Sequence, residues 1–203
     1  MTKPQFLGAA VLLLASASTS HAAAVIVLNP SFEDRIDPGQ QYGSAVSWPG
    51  NSFTELSADV LVTGGTGPRH AGQSQNDTMN QDLGVTFLPL TTYTLTVAIG
   101  NRVSVNDPTG TARFGLTSGS TIELGTFTTA VSLANTFQDF TYTFNTGAVA
   151  PTGNVGIRLG VQPTVGRGLF DNVRLDASPI PEPSTGLCAL IGASLVLAHR
   201  RRR

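Results

Sequence analysis

Lysine is almost missing from this chain of 203 residues: one stands at position 3 and none follows. Charge of either sign is scarce, at 12% of residues, while 40% are hydrophobic. That balance excludes a disordered chain and points to a globular one. Cysteine occurs once, as Cys188, so an intramolecular disulfide is impossible and the fold must rest on its core. Cys/His clusters with zinc spacing are absent. So is a G-x-S-x-G context that would build a serine nucleophile. His70 is the one histidine between Ala23 and Ser178, and a catalytic triad would have to be built around it. As a lone histidine in a loop it reads as solvated. The net charge of -1 hides an uneven distribution, because Lys3 and Arg200 to Arg203 sit at the two ends. Between Ala23 and Ser178, 12 acidic side chains stand against 7 arginines, a net of -5. A body of that sign excludes a nucleic-acid surface, which needs clustered Lys and Arg.

What is present divides into three. Residues 1-22 have Lys3, an apolar stretch from Phe6 to Ala15, and Ser20-His21-Ala22 as a small-x-small cleavage site. This is the pattern of a secretory signal peptide cut before Ala23, with an apolar helix too short for the ~20 residues of a membrane span. Residues 23-178 are the body, and 179-203 a tail.

The body is rich in Thr, Val, Gly and Phe, with short alternating runs separated by turn residues, and no helical period. The clearest strands are Thr91 to Ile99, with Tyr93, Leu95, Val97 and Ile99 on one face, and Asn154 to Val161, with Val155, Ile157, Leu159 and Val161 on one face. Further candidates are Ala24 to Leu28, Phe53 to Val62, Leu83 to Leu88, Thr111 to Thr117, Ser120 to Thr128, Phe137 to Phe144 and Leu169 to Leu175. Strict alternation means one buried and one wet face, and two packed antiparallel sheets bury such faces best. The expected fold class is all-β: an antiparallel β-sandwich of jelly-roll type, with a signal-peptide helix before it and a hydrophobic helix after it. Val62 to Gln81 shows no strand pattern and reads as a long loop, the first place to seek a binding rim. Its Gly64 to Gly67 run lacks the Lys-Ser/Thr of a phosphate loop and reads as flexible.

Two short motifs frame the body: NPSFED (Asn29 to Asp34) and FDNVRL (Phe170 to Leu175). Parity places Asp171 on the face of Val173 and Leu175, so a carboxylate points into the core. Such a group must be hydrogen-bonded, paired or metal-bound. Glu33 and Asp34 are candidates to share its site. The opening NPSFE and closing FDNV, with HAGQS and TTYTLTVAIGNR between them, resemble galactose-binding-like jelly-roll domains, including carbohydrate-binding modules. That resemblance implies a structural Ca²⁺ held by Glu33 and Asp171, with oxygen ligands completing its shell. It also implies polysaccharide as a partner. Sugar binding uses aromatic platforms, and the candidates are Trp48 and Tyr42; a single tryptophan in a sandwich also reads as core.

The tail runs from a polar PIPEPST through an apolar segment, Gly186 to Ala198, to HRRRR. Arginines after an apolar segment stay on the cytoplasmic side, so the body would lie outside the inner membrane. Pro181, Glu182 and Pro183, the apolar segment, and Arg200, Arg201, Arg202 and Arg203 resemble the PEP-CTERM sorting signal of Gram-negative bacteria. The resemblance implies an exosortase-type processing enzyme as partner, transient inner-membrane insertion, then release to the cell surface or extracellular matrix. The expectation for the whole is an exported, non-catalytic matrix module that binds exopolysaccharide. Its alternatives are a hydrolase using paired carboxylates among Glu33, Glu55 and Glu123, and a purely structural surface protein.

Overall fold

A computed structural model describes residues 22–36, 43–50, 53–56, 62–73, 77–101, 111–119, 121–131, 135–162 and 166–181. The chain divides into His21–Ile180 and a second unit, Met1–Ser20 with Pro181–Arg203. The expected signal segment up to His21, and the expected tail beyond Pro181, fall outside the described residues. Among the described residues no helix is long and apolar enough to cross a membrane.

The body is an antiparallel β-sandwich. Its strands are β1 (Ala23–Val25), β2 (Phe53–Leu56), β3 (Arg69–Gln73), β4 (Thr78–Thr86), β5 (Thr91–Asn101), β6 (Ala112–Ser118), β7 (Ile122–Glu123), β8 (Thr128–Ala130), β9 (Thr136–Asn145), β10 (Asn154–Val161) and β11 (Gly168–Pro179). A six-stranded sheet runs β2-β3-β11-β5-β9, with β1 also paired to β11. A five-stranded sheet runs β4-β10-β6-β7, with β8 also paired to β6. Consecutive strands rarely neighbour one another, which is how a jelly roll carries the chain between its two layers.

Alternation explains the core. Tyr93, Leu95, Val97 and Ile99 of β5 face Val155, Ile157, Leu159 and Val161 of β10, and all eight are buried in one cluster with Phe114, Leu116 and Phe170. Each such side chain contributes about 1.5–3 kcal/mol on burial. No cross-link is needed where a two-sheet core is this continuous.

Two expectations fail here. Val62 to Gln81 is not a loop throughout, since it contains β3 and the start of β4. Small and polar residues hide β3, whose Ala71 enters the core while His70 points the other way and is nevertheless fully buried. The parity of β11 also fails. Asp171 opposes Ala98 and Arg174 opposes Thr96, so Asn172 and Val173 together stand opposite the single residue Val97. Asn172 takes a left-handed φ of 47°, which asparagine tolerates better than most residues. This β-bulge inserts one extra residue and shifts the alternation. Phe170 and Val173 therefore both enter the main core, while Asp171 points to the opposite, outer face with Leu169.

Candidate functional site

The strand register assembles the site. Glu55 of β2 opposes His70 of β3, Phe170 of β11 opposes Ala71 of β3, and Asp171 opposes Ala98 of β5. Continuing the β3–β11 register by one residue brings Asp171 level with His70. Glu55, His70, Asp171 and Ala98 thus form one row across four strands, on the face turned away from the main core. Outer faces normally carry solvated polar groups. Here Glu55 is 1% exposed and His70 and Asp171 are 0% exposed.

The segment from Val62 to Gly67 covers Asp171. Thr63 fastens it to β9, where its N–H donates to the Asn135 carbonyl at 3.1 Å and its carbonyl accepts from Phe137 N–H at 2.8 Å. Val62, Ala98, Phe137 and Leu169 form a small second core under this cover. Over Asp171 the backbone itself closes the site: Thr66 N–H donates to Oδ2 at 2.5 Å, and Asn172 N–H donates to Oδ1 at 2.7 Å. A Cβ at Gly65 would lie 2.6 Å from Asp171 Oδ2, and one at Gly67 would collide with Glu33 Oε1. The glycines therefore serve close approach to two carboxylates, and the expectation that they confer flexibility is corrected.

Burial pushes the Asp171 carboxyl up to about 7, against the two N–H bonds that favour its ionised form; the Glu33 charge adds to the rise. Glu33 Oε1 accepts from Arg69 N–H at 2.9 Å. The cover segment thus holds Asp171, and the first residue of β3, just after it, holds Glu33. Beside them His70 Nε2 and Glu55 Oε1 lie 3.2 Å apart, and the His70 ring meets Phe137 edge-on with centroids 5.4 Å apart. The lone histidine is thus a buried strand residue with a carboxylate partner, and the solvated-loop reading is corrected.

Other expected residues are placed elsewhere. Asp34 is exposed and its backbone is tied to the Asn29 side chain, so it does not join Asp171. Trp48 is 1% exposed, with its indole N–H shared between the Leu28 and Asn29 carbonyls and its ring packed on Phe32 at 5.2 Å. A ring so enclosed offers no platform to a sugar, and the platform expectation for Trp48 is corrected in favour of the core. Pro181 is exposed. Tyr42, Glu182, Pro183 and Arg200 to Arg203 lie outside the described residues. Among the described residues no group of three or more His, Cys, Asp or Glu side chains could hold a metal ion. Sequence reasoning missed His70 and Glu55 as a pair, because a cross-strand partner 15 positions away leaves no spacing signal. It could have found the bulge, since Asp-Asn within a strand marks a residue suited to positive φ.

Solved structures share this fold. A cyclase from Fischerella sp. in its apo form is 26% identical, with 78% of this chain and 97% of that chain covered and a TM-score of 0.59. The Stig cyclase Fisc from Fischerella sp. TAU, in complex with (3Z)-3-(1-methyl-2-pyrrolidinylidene)-3H-indole, is 22% identical, covers 78% and 99%, and has a TM-score of 0.64. The CBM22-1 xylan-binding domain of Paenibacillus barcinonensis Xyn10C is 7% identical, covers 80% and 99%, and has a TM-score of 0.50. That last likeness bears out the module-like body, but only as fold. No curated protein is significantly similar in sequence. The family model described as HpiC1-like, HpiC1 cyclase, matches residues 23–176. This match overturns the non-catalytic expectation. Nucleophile motifs are no guide here, because a ring-closing enzyme can work with a buried acid that only the folded register assembles. The span matched is nearly the whole sandwich, from β1 into β11, and the chain belongs to the HpiC1-like cyclase family.

Proposed function

We propose that the chain catalyses ring closure and that the Glu55–His70–Asp171 row is its proton-handling centre. The observation that carries this is the placement of three ionisable side chains in one row, all almost without exposure, on a sheet face where solvated residues are the rule. Asp171 holds a proton near neutrality and would donate it to the substrate. The ring bond then forms, and the positive charge left on the substrate is discharged by return of that proton, so the reaction is a net isomerisation. The His70–Glu55 pair would orient Asp171 and steady the charge as the proton moves. The cover segment from Gly64 to Gly67 keeps bulk water from Asp171, which strengthens every electrostatic term at the site. Full chain incubated with unsaturated indole precursors should yield new isomers at unchanged mass; a product pattern identical in the wild type and Asp171→Asn would reject the assignment.

A specific observation favours a second use of the same carboxyl. Glu33 and Asp171 repel one another, and paired hard-oxygen donors suit Ca²⁺. Each Asp171 oxygen keeps a lone pair beyond its N–H bond, so the donor set fits. Glu33 and Asp171 would hold the ion, which would neutralise their repulsion and tie the two ends of the body together. A bound cation keeps Asp171 ionised, so chelator separates the two uses. A melting midpoint unchanged by chelator, for both wild type and Asp171→Ala, would sink the calcium assignment.

For location, the proposal is export through the signal segment and sorting through Pro181, Glu182, Pro183 and the terminal arginines. Polysaccharide of the cell surface is then the proposed surrounding. Replacing Arg200 to Arg203 by Ser should block removal of the tail, and normal processing would contradict the proposed role of the basic cluster.

A further inference from the structure

Three joined segments at one end of the sandwich carry no charge. They are residues 83–92, 145–153 and 178–181, and none contains Asp, Glu, Lys, Arg or His. Hydrogen bonds join them, since Leu90 N–H donates to the Gly147 carbonyl at 2.9 Å and Ile180 N–H donates to the Leu90 carbonyl at 2.7 Å. Asp82 and Asp176 lie further back on β4 and β11, opposite Gly156 and Thr94. The tips are apolar and open: Leu88 is 55% exposed, Leu90 38% and Val149 88%. Leu88 also lines an open apolar groove of about 830 Å³ with Ile26, Leu28 and Val85, so the same surface continues down the edge between β1 and β4.

The turn from Leu88 to Thr91 has a main chain that needs no water. Leu88 N–H donates to the Tyr93 hydroxyl at 2.8 Å, and its carbonyl accepts from the Thr146 hydroxyl at 2.7 Å. Pro89 has no N–H, and its carbonyl accepts from the Thr91 hydroxyl at 2.9 Å. Leu90 is paired on both sides by Gly147 and Ile180. Thr91 N–H donates to the Thr146 hydroxyl at 2.8 Å, and its carbonyl accepts from Thr146 N–H at 2.9 Å. Every main-chain polar group from Leu88 to Thr91 therefore has a partner within the protein. Water satisfies such groups in an ordinary loop, whereas an apolar medium leaves each unpaired one at a cost. Leu90 also holds a left-handed φ of 47°, which is strained for leucine and would be relieved by glycine. A strained turn that keeps a leucine at its tip, with its backbone fully paired, is suited to a lipid interface.

We propose that this end of the sandwich rests on a lipid bilayer, with Leu88, Leu90 and Val149 entering the boundary between headgroups and acyl chains. Apolar contact carries the docking, because the three segments offer no charge to a headgroup, so zwitterionic lipid suffices. The choice of a bilayer over a second copy of the chain rests on the proposed sorting reading of the tail. Only Glu182 to Thr185 stand between Pro181 and the apolar run from Gly186, a leash of at most about 18 Å. The other end of β5, at Asn101, lies about 33 Å from Thr91. A bilayer that takes up the apolar run is thus within reach of the uncharged end and not of the other. Asp171, level with Ala98 toward the far end of β5, then stands off the lipid.

An environment-sensitive fluorescent label on the purified full chain tests it, with phosphatidylcholine vesicles as the probe. Labels are placed at Val149→Cys and, as a matched control, at Val131→Cys, both in a Cys188→Ser background. Val131 is 51% exposed and follows Ala130, whose row with Ala112 and Val161 lies at the far end. A label on the native Cys188 reports on the tail by itself. On adding vesicles, the label at 149 should shift to the blue and be quenched by doxyl lipid, and the label at 131 should do neither. Leu88→Asp should largely abolish the shift at 149, because its carboxylate would have to be dehydrated. On the unlabelled wild type, doxyl lipid in phosphatidylcholine bicelles should broaden the methyl signals of Leu88, Leu90 and Val149 before that of Val131, which keeps the test valid if a variant does not fold. No shift at 149 overturns the proposal, and a shift at Cys188 alone leaves the tail reading intact. A shift at 149 with none at Cys188 upholds the proposal and counts against that reading. Equal shifts at 149 and 131, or a shift at 149 that grows with protein concentration without lipid, as a second copy would give, would each overturn it.

Discussion

The two outer faces of this sandwich carry ionisable groups in opposite ways. On the six-stranded sheet Glu55, His70 and Asp171 see almost no water. On the five-stranded sheet Arg113, Glu123 and Arg158 lie partly open, and their charges are matched by one another. Contact with Arg113 raises neither partner's cost: the Arg113–Glu123 bond lifts the guanidinium's value and lowers the carboxyl's, each toward the charged form. Asp171 moves toward its neutral form, because burial outweighs its hydrogen bonds. Charge that remains solvated is used for holding, and charge that is desolvated is available for proton transfer.

The widest separation between the faces should come from breaking a pair. Removing one partner of the buried Glu55–His70 pair, by Glu55→Ala or His70→Ala, should cost about 3–5 kcal/mol in denaturant unfolding. A loss below about 1 kcal/mol would mean that the row is solvated like the other face.

The pH dependence comes next. With chelator present, the folded state keeps a proton on Asp171 between the ordinary 3.8 and about 7, while the unfolded chain releases it. The folded state thus binds more protons in that window, so stability falls as pH rises through it and levels off above. The loss is on the order of 4 kcal/mol, and Asp171→Asn should flatten the slope. An Asp171 carboxyl that titrates by NMR in the ordinary range would erase the contrast.

Gly65→Ala should have a moderate effect, since its Cβ would meet Asp171 Oδ2 at 2.6 Å and the Phe137 ring at 3.2 Å. Lifting the cover should cost about 1–3 kcal/mol and open Asp171 to hydrogen exchange at Thr66. Smallest of all, Glu123→Ala and Arg174→Ala should each change stability by about 1 kcal/mol or less, as partly solvated pairs do. Arg174 reaches Asp139 at 2.5 Å in the open, so its thermal midpoint is the baseline for the series.

How legible these faces were differs with the kind of residue. β5 and β10 declare themselves because both alternate strictly, and the structure buries the residues that alternation selects. β3 does not, since Arg69, Gly72 and Gln73 mask a strand whose inward residue is only alanine. Asp171 was legible as an important carboxylate, because one inside a strand must be satisfied somewhere. Its face was not legible, because a single residue at Asn172 reverses the count. Trp48 was legible as core or platform but not as which, since both want a ring beside a loop. The Glu55–His70 pair was invisible, because it exists only once β2 and β3 are registered. Enzyme membership was likewise beyond motif reading, as ring closure needs no nucleophile signature.

The position of β11 has a consequence in time. It pairs with β1, β3 and β5, yet it is the last strand of the body to leave the ribosome. Until it arrives, β2 and β3 have no strand pairing that joins them to β5 and β9, and the Thr66–Asp171 contact spans 105 positions of chain. Contacts of such separation form slowly, because the loop must close before they return anything. The body is therefore built to remain open while it is being made and to close in one late step that completes the sheet and the acid site together.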